Sequence, residues 1–114
     1  MSKHILLVFT DCVPGREAEF GEWYDTVHLR DVLRVPGFVA AQRFAARTGM
    51  RGEQPGHRFL AVYEIEADDL DAAQAALRSA VAGMRMSDAL APTLVTHAYS
   101  AITDRMEALD AESV

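Results

Sequence analysis

An α+β domain running strand, helix, strand, strand, helix, strand is the fold this sequence predicts, and three observations predict it. Four short runs rich in β-formers are bounded by turn residues. Two longer segments carry helical composition with start and stop signals. Their order closes most simply as one antiparallel sheet with both helices on one face.

The first strand is Lys3 to Thr10, containing His-Ile-Leu-Leu-Val-Phe and closed by Pro14 and Gly15. Arg16 to Leu33 reads as a helix of about five turns. Its acids Glu17, Glu19 and Glu22 come early and its bases Arg30 and Arg34 late, as the helix dipole favours, and Pro36 and Gly37 stop it. Phe38 to Ala46 and His57 to Ile65 are two strands of a long hairpin, joined by the polar, glycine-rich segment Arg47 to Gly56. Asp68 or Asp69 caps a second helix through Ala82, with Leu70, Ala73, Leu77 and Val81 at helical spacing and Gly83 just past its end. Met84 to Pro92 reads as a short helix or a flap. Thr93 to Thr103 alternates and is the last strand. One domain of residues 1–103 is expected, followed by a frayed or exchanged tail, 104–114.

Both faces of these strands are apolar. The first strand sets Leu6 and Val8 against Ile5, Leu7 and Phe9, and the third sets Leu60 and Val62 against Phe59, Ala61, Tyr63 and Ile65. Helices cover one face, and leaving the other wet would expose a contiguous apolar surface that monomers avoid. A second copy is therefore expected to cover it, giving a two-fold homodimer with a shared barrel-like core.

With 114 residues the chain is long enough for one core. A net charge of −6 repels phosphate backbones and anionic membrane surfaces, so neither nucleic acid nor membrane is an expected partner. The single cysteine, Cys12, fits a reducing compartment, and the apolar run Ile5 to Phe9 is far too short for a signal core or a bilayer span, so a cytoplasmic protein is expected. The four histidines lack metal-ligand spacing, and no cofactor or metal is expected. No phosphate loop, nucleotide fingerprint or nucleophile elbow is present.

The first helix carries the candidate site. With Phe20 at the centre of its buried face and about 100° per residue, Tyr24, Val27 and Asp31 fall within about 40° and His28 within about 80°. Trp23 lies on the opposite shoulder. Tyr24, His28 and Asp31 are thus three polar groups at a helical spacing that lets them touch. Buried polar groups need partners, so they either form a closed structural network or line a pocket. In a pocket, His28 would move a proton near neutral pH, Asp31 would orient it, and Tyr24 would hydrogen-bond a carbonyl or enolate oxygen. Trp23, Arg43, His97 and Tyr99 are candidate substrate-binding residues. His97 and Tyr99 share one face of the last strand, whereas Gln42 and Arg43 lie on opposite faces of the second. Arg43 could grip an anionic group. His4 and His57, at strand ends, are expected to be solvated.

The stretch from Phe20 to Phe38, with Trp23, Tyr24, His28, Asp31, Pro36 and Gly37, resembles the EthD-like group of the dimeric α+β barrel superfamily. Many members carry a proline two residues after the histidine, where this sequence has Arg30. The resemblance implies a ferredoxin-like subunit, a homodimer and a pocket between helices and sheet. It leaves the reaction open, since one fold hosts many chemistries. Three functions follow as expectations. The leading one is a cofactor-independent isomerase, cyclase or lyase acting by proton transfer on a hydrophobic or aromatic oxygenated metabolite. The second is a cofactor-free or haem-using monooxygenase, and the third a non-catalytic ligand-binding or structural dimer.

Overall fold

The structure is a computed structural model that describes residues 2–110. Four strands, β1 (Ser2–Thr10), β2 (Phe38–Ala45), β3 (Phe59–Ala67) and β4 (Val95–Ser100), form one antiparallel sheet in the order β2-β3-β1-β4. The first helix, α1, covers 17–32, and the second, α2, is Leu70–Val81. The predicted element order stands, with strand ends moved by up to three residues. β3 starts and ends two residues later than expected, and β4 is shorter at both ends.

Local signals act as the sequence indicates. Asp69 caps α2 by accepting the Ala72 N–H at 3.0 Å. Gly37 turns the chain into β2 with φ +94°, and its carbonyl accepts the Glu66 N–H at 2.9 Å. A Cβ there would approach the Glu66 carbonyl to 3.5 Å, so the close pairing of this turn with β3 also favours glycine.

The core lies between the helices and one face of the sheet. Leu6, Ala61, Tyr63 and Ile65 from β1 and β3 meet Phe20, Tyr24 and Val32 from α1. Strand alternation sends Ile5, Leu7 and Phe9, with Leu60 and Val62, to the other face, together with Phe44, Val95, His97 and Tyr99, as the pairing register requires. No element among the described residues covers that face. Ile5, Phe44, Val95 and Tyr99 are 36–55% exposed on it.

Three expectations change. His4 is buried rather than solvated, because its ring bridges Ser100 Oγ (2.7 Å) and the Ala67 carbonyl (3.0 Å) across the sheet. Residues 84–92 form neither helix nor free flap. The Val13 N–H donates to Ala89 O at 2.8 Å, the Ala91 N–H donates to Asp11 O at 3.0 Å, and Cys12 bridges Leu90, so this segment is laced to the chain that follows β1. The third change concerns the phase of α1 and is taken up with the site. Of the expected tail, residues 104–110 are exposed coil, and 111–114 lie outside the described residues. No helix among the described residues is long and apolar enough to cross a membrane.

Candidate functional site

Helix α1 is not a uniform α-helix. It runs as Glu17–Trp23, widens into a π-turn at Tyr24–His28, where the Leu29 N–H donates to the Tyr24 carbonyl, and resumes as Leu29–Val32. A π-turn adds one residue to a helical turn and so delays every later residue by about 100°. His28, expected about 80° from Phe20, moves to about 20° from it, and Asp31 moves off the inward face to about 80°. Val32 takes the central position that a uniform helix would give Asp31. Burial agrees with this shift: Val32 is 1% exposed and His28 9%.

His28 therefore turns to the buried side of α1. Its ring stacks on Trp23, with centroids 4.8 Å apart and planes 23° from parallel, and meets Tyr24 edge-on at 5.2 Å. Its Nδ1 is buried and has no hydrogen-bond partner. Burial lowers the imidazole pKa, and the charge of Asp31 only partly offsets this. The ring is thus neutral at physiological pH.

Asp31 does not orient His28. Its carboxylate pairs with Arg34 at 2.7 Å, and it influences the imidazole only through its charge. The expected Tyr24, His28 and Asp31 contact set is therefore reduced to Tyr24 and His28, because the π-turn separates what a uniform helix would align.

The structure adds Tyr63 to this pair. Tyr63 stands on the inward face of β3, fully buried, and its hydroxyl has no partner in hydrogen-bonding geometry. Burial raises the pKa of both tyrosines, and the neighbouring Tyr24 raises that of Tyr63 further. Both phenols are protonated donors. The sequence pattern had counted Tyr63 only as an apolar residue of β3, but an inward tyrosine always brings a hydroxyl that must be satisfied. Thr10, at the end of β1, also presents a buried hydroxyl without a partner.

Arg43 reaches Tyr24 from β2. Its guanidinium lies over the Tyr24 ring at 4.7 Å, with Phe20 at 5.4 Å and Phe59 at 5.6 Å, and it donates to Asp25 at 2.7 Å. It is committed to these contacts and roofs the aromatic cluster. His97 and Tyr99 share a face, as expected, but it is the open face of the sheet, opposite His28. There His97, His57, Phe9, Phe44 and Val95 line an apolar recess of about 430 Å³.

Trp23 connects the buried group to the surface. One side of its indole stacks on His28, while the residue also lines a recess of about 470 Å³ with Glu22, Thr26, Val27 and Arg85. Its Nε1 donates to the Arg85 carbonyl at 2.8 Å. No group of three or more histidine, cysteine or acidic residues among the described residues is placed to hold a metal ion.

No protein-family model matches the chain, and no curated protein matches it. Solved structures do. The haem-degrader MhuD from Mycobacterium tuberculosis, with two haems in its active site, is 18% identical over 90% of this chain and 99% of its own, with a TM-score of 0.62. A dimeric ferredoxin-like protein of unknown function from Thermobifida fusca is 13% identical over 88% of this chain and 92% of its own, with a TM-score of 0.55. A candidate antibiotic biosynthesis monooxygenase from Nitrosomonas europaea is 15% identical over 89% and 91%, with a TM-score of 0.54. At these identities the likeness establishes the ferredoxin-like α+β fold, and the chemistry has to be argued from the site.

Proposed function

We propose that this chain forms a homodimer and acts on a small hydrophobic or aromatic oxygenated metabolite by proton transfer, as an isomerase, cyclase or lyase. One observation carries the reading. The buried Nδ1 of His28 has no partner, and the ring packs at 5.2 Å on Tyr24, which also neighbours the buried hydroxyl of Tyr63. Native proteins leave few buried polar atoms unpaired, and those that remain point to a bound molecule or a chemical role.

The neutral imidazole is the base in this reading. It takes a proton from carbon or oxygen next to a carbonyl, while the protonated Tyr24 and Tyr63 hydroxyls stabilise the oxygen on which charge develops. The same imidazolium then returns the proton at the product position, so no outside reductant or oxidant is needed. A substrate reaches His28 when the Trp23 indole swings toward its recess, which breaks both its bond to the Arg85 carbonyl and its stacking on His28. Exclusion of water from so apolar a site strengthens each hydrogen bond to the reacting oxygen.

Haem is bound by one protein of the same fold, so the fit of this site to haem bears on the choice of reaction. A haem iron would be ligated through an imidazole nitrogen in the ring plane, and His28 as packed is only 9% exposed, with Nδ1 buried and Trp23 and Tyr24 against the ring at 4.8 and 5.2 Å. The residues present at His28 do not fit the group, and the proton-transfer reading needs none.

Deuterium exchange of enolisable cyclic ketones, 1,3-diketones and phenols in heavy water, followed by NMR, tests the assignment. Wild-type protein should accelerate exchange in at least one class, and His28→Ala should reduce that rate by about 100-fold or more with the circular dichroism spectrum unchanged. Equal rates in both proteins would remove His28 from the chemistry. A shifted Soret band on adding haemin, lost in His28→Ala, would instead favour the oxidative alternative.

A further inference from the structure

Beyond β4 the described residues, up to 110, do not return to their own domain. The Ala101 N–H donates to the Lys3 carbonyl at 2.9 Å, and among the described residues no later backbone N–H or C=O is paired. Residues 102–110 then leave as an exposed arm. The molecule measures 51 Å along its longest axis with a radius of gyration of 16.2 Å, whereas a compact chain of this length would have about 13 Å.

The arm is not uniformly polar. Ile102, Met106 and Leu109 are 95, 79 and 70% exposed, and their spacing of four and then three residues puts them on one stripe if the arm becomes helical. Between them stand Asp104, Arg105 and Glu107, and Asp110 follows. An unbound surface segment has no reason to keep three large apolar side chains in register. The root of the arm and the open sheet face together wall a groove of about 950 Å³. Ile102 to Arg105 line one side of it, with Ile5, Val39 and Tyr99 on the other.

We infer that the arm is a clamp exchanged between two copies of the chain, each laying Ile102, Met106 and Leu109 across the other. The proposal rests on the homodimer described above and names the contact that holds it. Three arguments select a second copy as the occupant. Whatever covers the open sheet face must also meet the arm root, since the groove is continuous with both. As a helix, nine residues are about 13 Å long, so the stripe of Ile102, Met106 and Leu109 spans about three strands of a neighbouring sheet. A lipid surface is disfavoured because the arm carries three acids against one base on a chain of net charge −6. Two-fold exchange makes the same patch serve twice, as a closed dimer requires.

Sedimentation equilibrium of the full chain and of a full-length Ile102→Ser, Met106→Ser, Leu109→Ser variant tests the clamp. The expected result is a dimer whose dissociation constant rises at least 100-fold in the variant, with an unchanged circular dichroism spectrum. A dimeric full chain and an equally dimeric variant would overturn the clamp while leaving the dimer standing. A full chain that stays monomeric at 100 µM would overturn both. Trypsin cleavage after Arg105 gives a second readout that needs no substitution. Protection that is lost on dilution supports exchange between copies, whereas protection independent of concentration means that the arm folds on its own domain and overturns the proposal.

Discussion

The two faces of the sheet are made from the same strands by the same alternation, and they end in different conditions. On the helix side, Ala61, Tyr63 and Ile65 of β3 are almost wholly enclosed. On the other side, their neighbours Leu60 and Val62 are only half-buried, and Phe44 beside them on β2 is 45% exposed. The enclosed face holds the polar atoms without partners, while the open face holds the apolar surface without a cover. The difference separates two tasks: one face is finished by the chain itself and carries the candidate chemistry, and the other awaits a second body.

Ile65→Ala and Phe44→Asp are the sharpest way to break that contrast. Ile65 is fully buried, so its truncation should destabilise each subunit by about 2–5 kcal/mol, read from denaturant midpoints. Phe44→Asp should leave subunit unfolding within about 0.5 kcal/mol at concentrations where the chain is monomeric, yet abolish dimer formation in sedimentation. If Phe44→Asp destabilised the isolated subunit as much as Ile65→Ala does, the two faces would not differ as argued.

The contrast between faces was legible in the sequence, because alternation over β1 and β3 fixes which residues point together whatever the sheet packs against. Turn and cap residues such as Pro36, Gly37 and Asp69 fixed where elements stop and start for the same local reason. The interior of α1 was not legible in full. A step of about 100° per residue places Asp31 inward, and only the extra residue of the π-turn replaces it with Val32 and draws His28 in. No local signal between Trp23 and Leu29 announces that turn. His4 was misjudged similarly, since the partners that bury it, Ser100 and Ala67, are remote in sequence.

The pH dependence of stability probes the enclosed face next. Burial holds the His28 pKa below its usual 6.5, so the unfolded chain binds a proton there more readily than the folded one. Stability from this group is complete above pH 6.5 and falls as pH drops through the unfolded value toward the folded one. His28→Phe should flatten that part of the profile measured by thermal or urea unfolding. The activity proposed above should share the sign, with its acid limb below pH 6.5 because protonation removes the base. An activity that rises on acidification across this range would assign the imidazolium, not the imidazole, as the working form.

The smallest effect separates folding from function at one atom. The Tyr63 hydroxyl is fully enclosed and meets only the Tyr24 side chain, without good hydrogen-bonding geometry, so little offsets its desolvation cost in the folded state. Tyr63→Phe removes the oxygen and keeps the ring that meets Phe38 edge-on with centroids 6.3 Å apart. Unfolding experiments should therefore find the variant unchanged or stabilised by up to about 1 kcal/mol, where loss of a paired buried hydroxyl would cost about 1–3 kcal/mol. The same variant should slow the exchange reaction, since the oxygen of the substrate loses a donor. Stability gained and activity lost together would mark this hydroxyl as kept for chemistry; a clear loss of stability would show that it serves the fold, and that the enclosed face is less exceptional than its unpaired atoms indicate.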